Sequence, residues 1–316
     1  MNSIDTGARR DLQEMRDPIF LLAPPRSYST VSIAMLAGHP DIYGFPEMLL
    51  FKVATEGELP TIGELLSGAE MQARASSFRF ARPGVTRAVA QVHEGNQSPT
   101  ALRNAWEWLN NHVDWSTVRL MDHLLALVYP KIGIENSPDT VTSDRALNAC
   151  LRSYPNARYI HLTRHPVTSL QSMLKHYAAL YPEEVPIETR VRQHLLLWYT
   201  SHLRIVKALR GLPRGRWIRV RAEDLLGNPQ SRIPGVLDWI GLPQDEHIVN
   251  VMTQTERWDF AGLKQMSGYG GGDPIFMNDP MLRSVPPPPS ERMPEEWVIS
   301  GAISRRISAL ANYLGY

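Results

Sequence analysis

The amino-acid sequence predicts an α/β fold in which a central parallel sheet is covered by helices on both faces. Short apolar runs that end at proline or turn residues are typical of buried strands. Amphipathic helical segments follow these runs, and this alternation of strand and helix favours a parallel sheet. The chain has 316 residues and an apolar fraction of 43%, which is ample for one large domain or two small ones.

Five segments have the composition of strands. The first is the apolar run between Pro18 and Pro24, and the richest in β-branched and aromatic residues is 158–163. The other three are residues 42–45, 131–135 and 217–221.

Helices are predicted between and after these strands. The first begins near Val31, with Ser29 or Thr30 as its N-cap, and ends near Gly38. Further helices are predicted over residues 141–152, 167–177, 188–209, 233–240 and 295–316.

Two regions interrupt the alternation. Residues 52–130 have helical periodicity and few strand signals, and they include a clear helix over 101–113 with Trp106 and Leu109 on its apolar face. Residues 266–294 are rich in Gly and Pro, which predicts an irregular loop or lid. The segment before the first strand, residues 1–16, is expected to be a loose leader or a short surface helix, and residues 17–316 are interpreted as one domain.

Composition excludes several classes of protein. A formal net charge of +1 gives no bulk field that favours nucleic acid or a membrane surface. The single cysteine, Cys150, excludes an internal disulfide framework and lies in an apolar helical run, where a packing role is expected. The N-terminal segment lacks the apolar region of a signal peptide, and no run approaches the ~18 apolar residues of a membrane span. A cytoplasmic location is therefore expected.

The first strand leads into a polar loop and then into the start of a helix. Strand, loop and helix start form a geometry that binds phosphate-like anions, because the helix N-terminus supplies free backbone N–H groups. The alternative is an ordinary capped helix after a strand. If the loop binds an anion, its donors are Arg26, Ser27, Tyr28, Ser29, Thr30 and Val31.

The loop fails the nucleotide-binding template G-x-x-x-x-G-K-[ST], because it has neither the glycine pair nor the lysine. The segment Pro25-Arg26-Ser27-Tyr28-Ser29-Thr30 instead resembles the phosphosulfate loop of sulfotransferases that use 3′-phosphoadenosine 5′-phosphosulfate (PAPS), which reads Pro-(Lys/Arg)-Ser-Gly-(Ser/Thr)-Thr. Tyr28 stands where glycine is usual, so its side chain must point away from the anion.

Three further segments extend the resemblance over residues 18–276. Arg164 at a strand end and Ser172, eight residues later on the next helix, resemble the 3′-phosphate motif of the family. Residues 220–243 resemble a later motif that we interpret as mainly structural. Gly270, Gly271 and Gly272 before Asp273-Pro274-Ile275-Phe276 resemble the late loop of bacterial members, including sulfotransferase domains of olefin-forming polyketide synthases, and this loop is expected to fold over the nucleotide.

The resemblance implies a three-layer P-loop-like domain, with residues 52–130 as a helical acceptor cap. It implies PAPS as donor, adenosine 3′,5′-bisphosphate (PAP) as product and no metal. The acceptor would be a hydroxyl on a small molecule or on a carrier-protein-bound intermediate. Arg26 would neutralise charge that grows during transfer.

The resemblance and the apolar neighbours of Glu47 point to this residue as the base, since such neighbours raise a carboxyl pKa. His123 and His93 are the alternatives. Asn136 departs from the family, in which lysine is common in the segment similar to Glu135-Asn136-Ser137-Pro138. If that lysine steadies the sulfate or the base in relatives, this protein must use another cation, for which Arg26 is the candidate.

Two other functions are left open by the sequence. A small-molecule kinase that uses ATP would need Mg²⁺ and a lysine that the loop lacks. A nucleotide-binding module without catalytic activity would need no base.

Overall fold

The computed structural model confirms the α/β class. It describes residues 15–52, 81–178, 184–262, 271–285 and 301–316. Five strands form one sheet: β1 (Ile19–Leu22), β2 (Ile42–Gly44), β3 (Ile132–Glu135), β4 (Arg158–Thr163) and β5 (Trp217–Arg221). All neighbouring strands are parallel and their order is β2-β3-β1-β4-β5.

Helices fill the connections between the strands. The α-helices of the described residues are α1 (Ser29–Leu36), α2 (Ala81–Glu94), α3 (Pro99–Asn110), α4 (Thr117–Leu127), α5 (Asp144–Ser153), α6 (Pro166–His176), α7 (Ile187–Arg210), α8 (Ala222–Gly227), α9 (Pro229–Ile240), α10 (Glu246–Met252), α11 (Pro274–Asn278) and α12 (Gly301–Leu314).

The central strand β1 shows why the fold has three layers. All four of its side chains are buried, and successive side chains of a strand point to opposite faces. Phe20 and Leu22 pack into one core with α2, α3, α4, α5 and part of α7. Ile19 and Leu21 pack into a second core with α1, α8, α9 and α10. A strand buried on both faces requires this helical cover.

Two local expectations were wrong. The N-cap of α1 is Tyr28, not Ser29 or Thr30, and its side chain makes no capping hydrogen bond. Trp106 does not lie on the buried face of α3, since 37% of its surface is exposed. The buried face is formed by Ala101, Ala105 and Leu109, which repeat every four residues.

Three further expectations concern the single cysteine, membrane spans, and the leader, cap and lid segments. Cys150 is fully buried in the first core, as expected for a packing residue. No helix among the described residues is long and apolar enough to span a bilayer. Residues 1–14 of the predicted leader, residues 53–80 of the cap, and residues 266–270 and 286–294 of the lid lie outside the described residues.

Candidate active site

The carboxyl ends of the parallel strands surround a cavity of about 700 Å³. Polar segments leave the sheet at this edge, as expected for ligand sites in open α/β sheets. The cavity wall includes the predicted loop residues Arg26, Ser27, Tyr28, Ser29, Thr30 and Val31, together with Glu47 and Gly272. The structure thus brings the predicted anion loop and the predicted base to one cavity.

The loop between β1 and α1 contains two residues in the left-handed region. The backbone φ is 62° at Arg26 and 63° at Tyr28, and residues other than glycine rarely adopt such angles. The guanidinium carbon of Arg164 lies 3.9 Å from the centre of the Tyr28 ring, in a cation–π contact. This contact holds the ring beside Arg164 and explains how a tyrosine is tolerated where glycine was expected.

Arg26 connects three segments of the chain. Its Nε donates to Ser172 Oγ on α6 at 3.1 Å, and its Nη1 donates to Asp273 Oδ1 at 2.6 Å. Only 9% of the Arg26 side chain is exposed. These bonds hold the guanidinium in a fixed place at the cavity wall.

Arg164 contacts the loop from the end of β4. Its Nη1 donates to the Arg26 carbonyl oxygen at 2.7 Å, and its Nε donates to Thr168 Oγ1 at 3.2 Å. Its own carbonyl oxygen accepts a hydrogen bond from Trp198 Nε1 on α7 at 3.0 Å. Arg164 and Ser172 therefore both contact Arg26, although neither is part of the cavity wall.

The motif in residues 220–229 supports this strand end. The buried Glu223 accepts a hydrogen bond from the backbone N–H of His165 at 2.8 Å and another from the Tyr316 hydroxyl at 2.8 Å. The Tyr316 hydroxyl also lies 3.0 Å from Thr163 Oγ1 on β4. We interpreted this segment from the sequence as mainly structural. In the structure, Glu223 binds the backbone of His165, the residue directly after Arg164.

Glu47 follows β2 and is partly exposed to the cavity. Thr30 Oγ1 at the start of α1 lies 3.5 Å from its Oε1. Burial, and then the nearby carboxylates of Asp273, Asp139 and Glu135, raise the pKa of Glu47 from 4.5 to about 8, while Arg26 opposes the rise. Once ionised, a carboxyl group with this pKa is a stronger base than an ordinary carboxylate.

Backbone contacts fix the segment that carries Glu47. The Ser137 hydroxyl accepts hydrogen bonds from the backbone N–H groups of Met48 at 3.2 Å and Leu49 at 2.7 Å. The same hydroxyl donates a short bond to the buried Glu135 carboxyl. Burial raises the pKa of Glu135 to about 7, and the bonds from Ser137 and Met48 limit that rise.

Two glycines allow the chain to approach Glu47 closely. The backbone N–H of Glu47 donates to the Gly271 carbonyl oxygen at 2.9 Å. A Cβ atom at Gly84 on α2 would lie 1.9 Å from the Glu47 carbonyl oxygen, and this distance is too short for any residue other than glycine. Gly271 has φ 78° and lies against Pro46 and Gly84. The helical cap and the glycine-rich loop therefore meet at the candidate base.

A family model described as "Sulfotransferase family" matches residues 18–246. The chain belongs to the sulfotransferase family. The match spans β1 to the start of α10 and includes the loop, Glu47 and Arg164.

Two solved structures resemble this sulfotransferase over nearly its whole length. The sulfotransferase domain of the Synechococcus PCC 7002 olefin synthase is 21% identical, with 96% of each chain covered and a TM-score of 0.70. A sulfotransferase domain from the curacin biosynthetic pathway is 20% identical, with 95% of this chain and 98% of that chain covered and a TM-score of 0.69. At these identities the likeness shows the fold. No curated protein matches the sequence significantly.

The alternative histidine bases lie elsewhere in the sulfotransferase. His93 on α2 and His123 on α4 have their Nε2 atoms 3.1 Å apart, and both rings pack against Trp108. Neither histidine is part of the cavity wall. The structure thus brings Glu47, but not His123 or His93, together with the anion loop.

Asn136 occupies a buried place between Glu135 and Ser137. Only 2% of its surface is exposed, and its amide atoms have no hydrogen-bond partner among the residues that the structure describes. Three residues after Asn136, Asp139 pairs with Lys52 Nζ at 2.9 Å. Gly270 lies outside the described residues, whereas Gly272 lines the cavity.

Sequence reasoning missed several residues of the cavity wall. Three of them are Asp139, His176 and Asp273. Asp139 follows Pro138, and His176 lies one helical turn after Ser172. Asp273 follows the three glycines, which were the only residues of that segment predicted to bind the nucleotide. His194 on α7 also lines the cavity, and burial lowers its pKa to about 4. In the described part of the chain, no group of three His, Cys, Asp or Glu side chains is arranged to hold a metal ion.

Proposed function

We propose that this sulfotransferase moves the sulfuryl group of PAPS to a hydroxyl group, with Glu47 as the base. The observation that carries the proposal is the shared cavity. The Glu47 carboxyl lies 3.5 Å from Thr30 Oγ1 of the anion loop, and both line the same space. A base beside an anion loop is the arrangement that transfer of a charged group to a hydroxyl requires.

The residues of the loop fit a sulfated or phosphorylated ligand. Ser27 Oγ is fully buried in the loop and has no partner among the described residues, so it is available to donate to an anion. Arg26 adds a guanidinium, and the start of α1 adds free backbone N–H groups. Arg164 and Ser172 would hold the 3′-phosphate, Gly271 and Gly272 would lie over the nucleotide, and the donor would supply the sulfuryl group.

Proton removal is assigned to Glu47. In the transfer, the acceptor oxygen bonds to sulfur, the bond from sulfur to the nucleotide breaks, and the acceptor proton moves to a Glu47 oxygen. Arg26 would stabilise charge that grows on the leaving oxygen. Only the ionised form of Glu47 accepts a proton, so the rate should rise with pH and level off above about pH 8.

The acceptor is proposed to be a hydroxyl on a small molecule or on a carrier-bound intermediate. The two similar solved domains come from an olefin synthase and from the curacin biosynthetic pathway, which supports a polyketide-like acceptor. The cavity wall is partly apolar, and its apolar residues include Leu197, Leu226 and Phe276. Such a wall suits an acyl chain better than a sugar.

The test is Glu47→Gln, which keeps the shape of the side chain and removes the base. Turnover should fall by roughly 10²–10⁴-fold, while the Kd of PAP measured by calorimetry should stay within about twofold. His123→Ala and His93→Ala are the matched controls and should have mild effects. An active Glu47→Gln variant beside an inactive histidine variant would overturn the assignment. If the wild-type protein binds ATP with Mg²⁺ but does not bind PAP, the assignment of PAPS as the donor is overturned.

A further inference from the structure

We propose that Asp273 is a specificity-determining residue that competes with the donor for Arg26. In this reading, its carboxylate occupies the guanidinium in the free enzyme and must leave when the 5′ phosphosulfate group of the donor binds. The inference rests on the proposed function, because it assumes that the loop holds that group. It gives a competing role to a residue of the loop that the sequence analysis expected only to fold over the nucleotide.

The ion pair between the two residues is close and well protected. Asp273 Oδ1 lies 2.6 Å from Arg26 Nη1, and the exposed fractions of the two side chains are 9% for Arg26 and 29% for Asp273. The backbone N–H of Asp273 also donates to Thr30 Oγ1 at 3.0 Å. Asp273 therefore contacts two of the side chains that are proposed to bind the anionic end of the donor.

A carboxylate and a phosphosulfate cannot share this place without cost. Both are anions, and like charges a few ångströms apart repel strongly where the surroundings are partly shielded from water. Arg26 Nε donates to Ser172 and Nη1 donates to Asp273, so two of the five N–H groups of the guanidinium are already engaged. A phosphosulfate bound at the same guanidinium would lie beside the Asp273 carboxylate, so binding of the donor should weaken the ion pair.

The geometry of the segment allows Asp273 to withdraw. Its side chain is the more exposed partner of the pair, so its carboxylate can be rehydrated in the cavity. The same Oδ1 atom caps α11 by accepting from the backbone N–H of Ile275 at 3.0 Å, so the carboxylate has a second partner.

The decisive variant is Asp273→Asn. Asparagine caps a helix as well as aspartate does, so α11 should keep its cap while the competing charge is removed. PAP should bind roughly three- to tenfold more tightly to the variant than to the wild type. Adenosine 3′-monophosphate, which lacks the 5′ group, should bind equally to both. Damage to the fold would weaken the binding of both ligands. Tighter binding of PAP with unchanged binding of adenosine 3′-monophosphate therefore indicates competition.

The matched control is Asp279→Asn. Asp279 lines the same cavity but pairs with Arg283, so its substitution removes one negative charge without freeing Arg26. Its Kd for PAP should stay within about twofold of the wild type. Asp273→Ser, a second variant that keeps a capping side chain, should repeat the gain if Asp273→Asn does not fold.

The outcomes separate the two proposals. Wild-type protein that fails to bind PAP would overturn the proposed donor, and the competition with it. Wild-type protein that binds PAP, with Asp273→Asn binding no more tightly, would overturn the competition alone. Equal gains for Asp273→Asn and Asp279→Asn would also overturn it, because the effect would then be a general one of cavity charge.

Discussion

Glu47 should make the protein less stable as the pH rises, and Glu47→Gln should remove this effect. The folded-state pKa of Glu47, about 8, lies above its ordinary value of 4.5. The neutral carboxyl is therefore favoured in the folded protein, and its contribution to the free energy of unfolding is fully present below about pH 4.5. That contribution is lost as the pH rises through about 8.

The size of the effect follows from the pKa values. Since one pKa unit corresponds to about 1.4 kcal/mol, the rise from 4.5 to about 8 sets an upper bound of roughly 5 kcal/mol on the loss. Glu47 is partly exposed, so water and side-chain movement will reduce the loss, and we expect about 1–3 kcal/mol. For 316 residues this corresponds to a difference in melting temperature of roughly 2–5 °C.

The assay is thermal denaturation of both proteins between pH 5 and pH 9. At pH 5 the two melting temperatures should agree, and at pH 9 the Glu47→Gln variant should melt higher. Glu107→Gln, at an exposed position on α3, is the control and should follow the wild type at every pH. A constant difference between Glu47→Gln and wild type at all pH values would refute the reasoning, because the effect would then not come from ionisation.

Three further predictions concern the anion loop. Arg164→Ala should weaken PAP binding by roughly 1.5–3 kcal/mol and should affect adenosine 5′-phosphosulfate, which lacks the 3′-phosphate, much less. If calorimetry shows equal losses of binding free energy for the two ligands, Arg164 does not bind the 3′-phosphate. Arg26→Ala should lower turnover more than it weakens PAP binding, and wild-type turnover at saturating donor would exclude this role. Tyr28→Gly should be more stable than Tyr28→Ala by roughly 1–2 kcal/mol in thermal denaturation, because only glycine adopts φ 63° without strain. The reverse order would contradict the left-handed conformation.

The sheet could be predicted from the sequence because its strands are short and rich in β-branched and aromatic residues. For β4 and β5 the predicted and observed bounds agree, since each segment is enriched in these residues and is bounded by turn residues. The cap of α1 could not be predicted in the same way. Ser29 and Thr30 are good capping residues, but the loop places Tyr28 at that position and continues the helix through both hydroxyl residues.

The cavity was predictable only in part. Parallel strands end at one edge of a sheet, which brings the segments after β1 and β2 together, and Glu47 and the loop line one cavity. The pairing of Arg26 with Asp273 joins residues that are 247 positions apart. No local sequence pattern predicts a contact between residues so far apart in the chain.

A base with a raised pKa is compatible with catalysis at neutral pH. With a pKa of about 8, roughly one tenth of the Glu47 carboxyl groups are ionised at pH 7, which would lower the rate of the proposed reaction by about a factor of ten. A positioned base contributes roughly 10²–10⁴-fold, so the gain exceeds this loss. The ionised form is also more basic than an ordinary carboxylate, because the burial and the nearby carboxylates that disfavour the charge also favour uptake of a proton. The acidic groups around Glu47 therefore make it a stronger base at the expense of the fraction that is ionised.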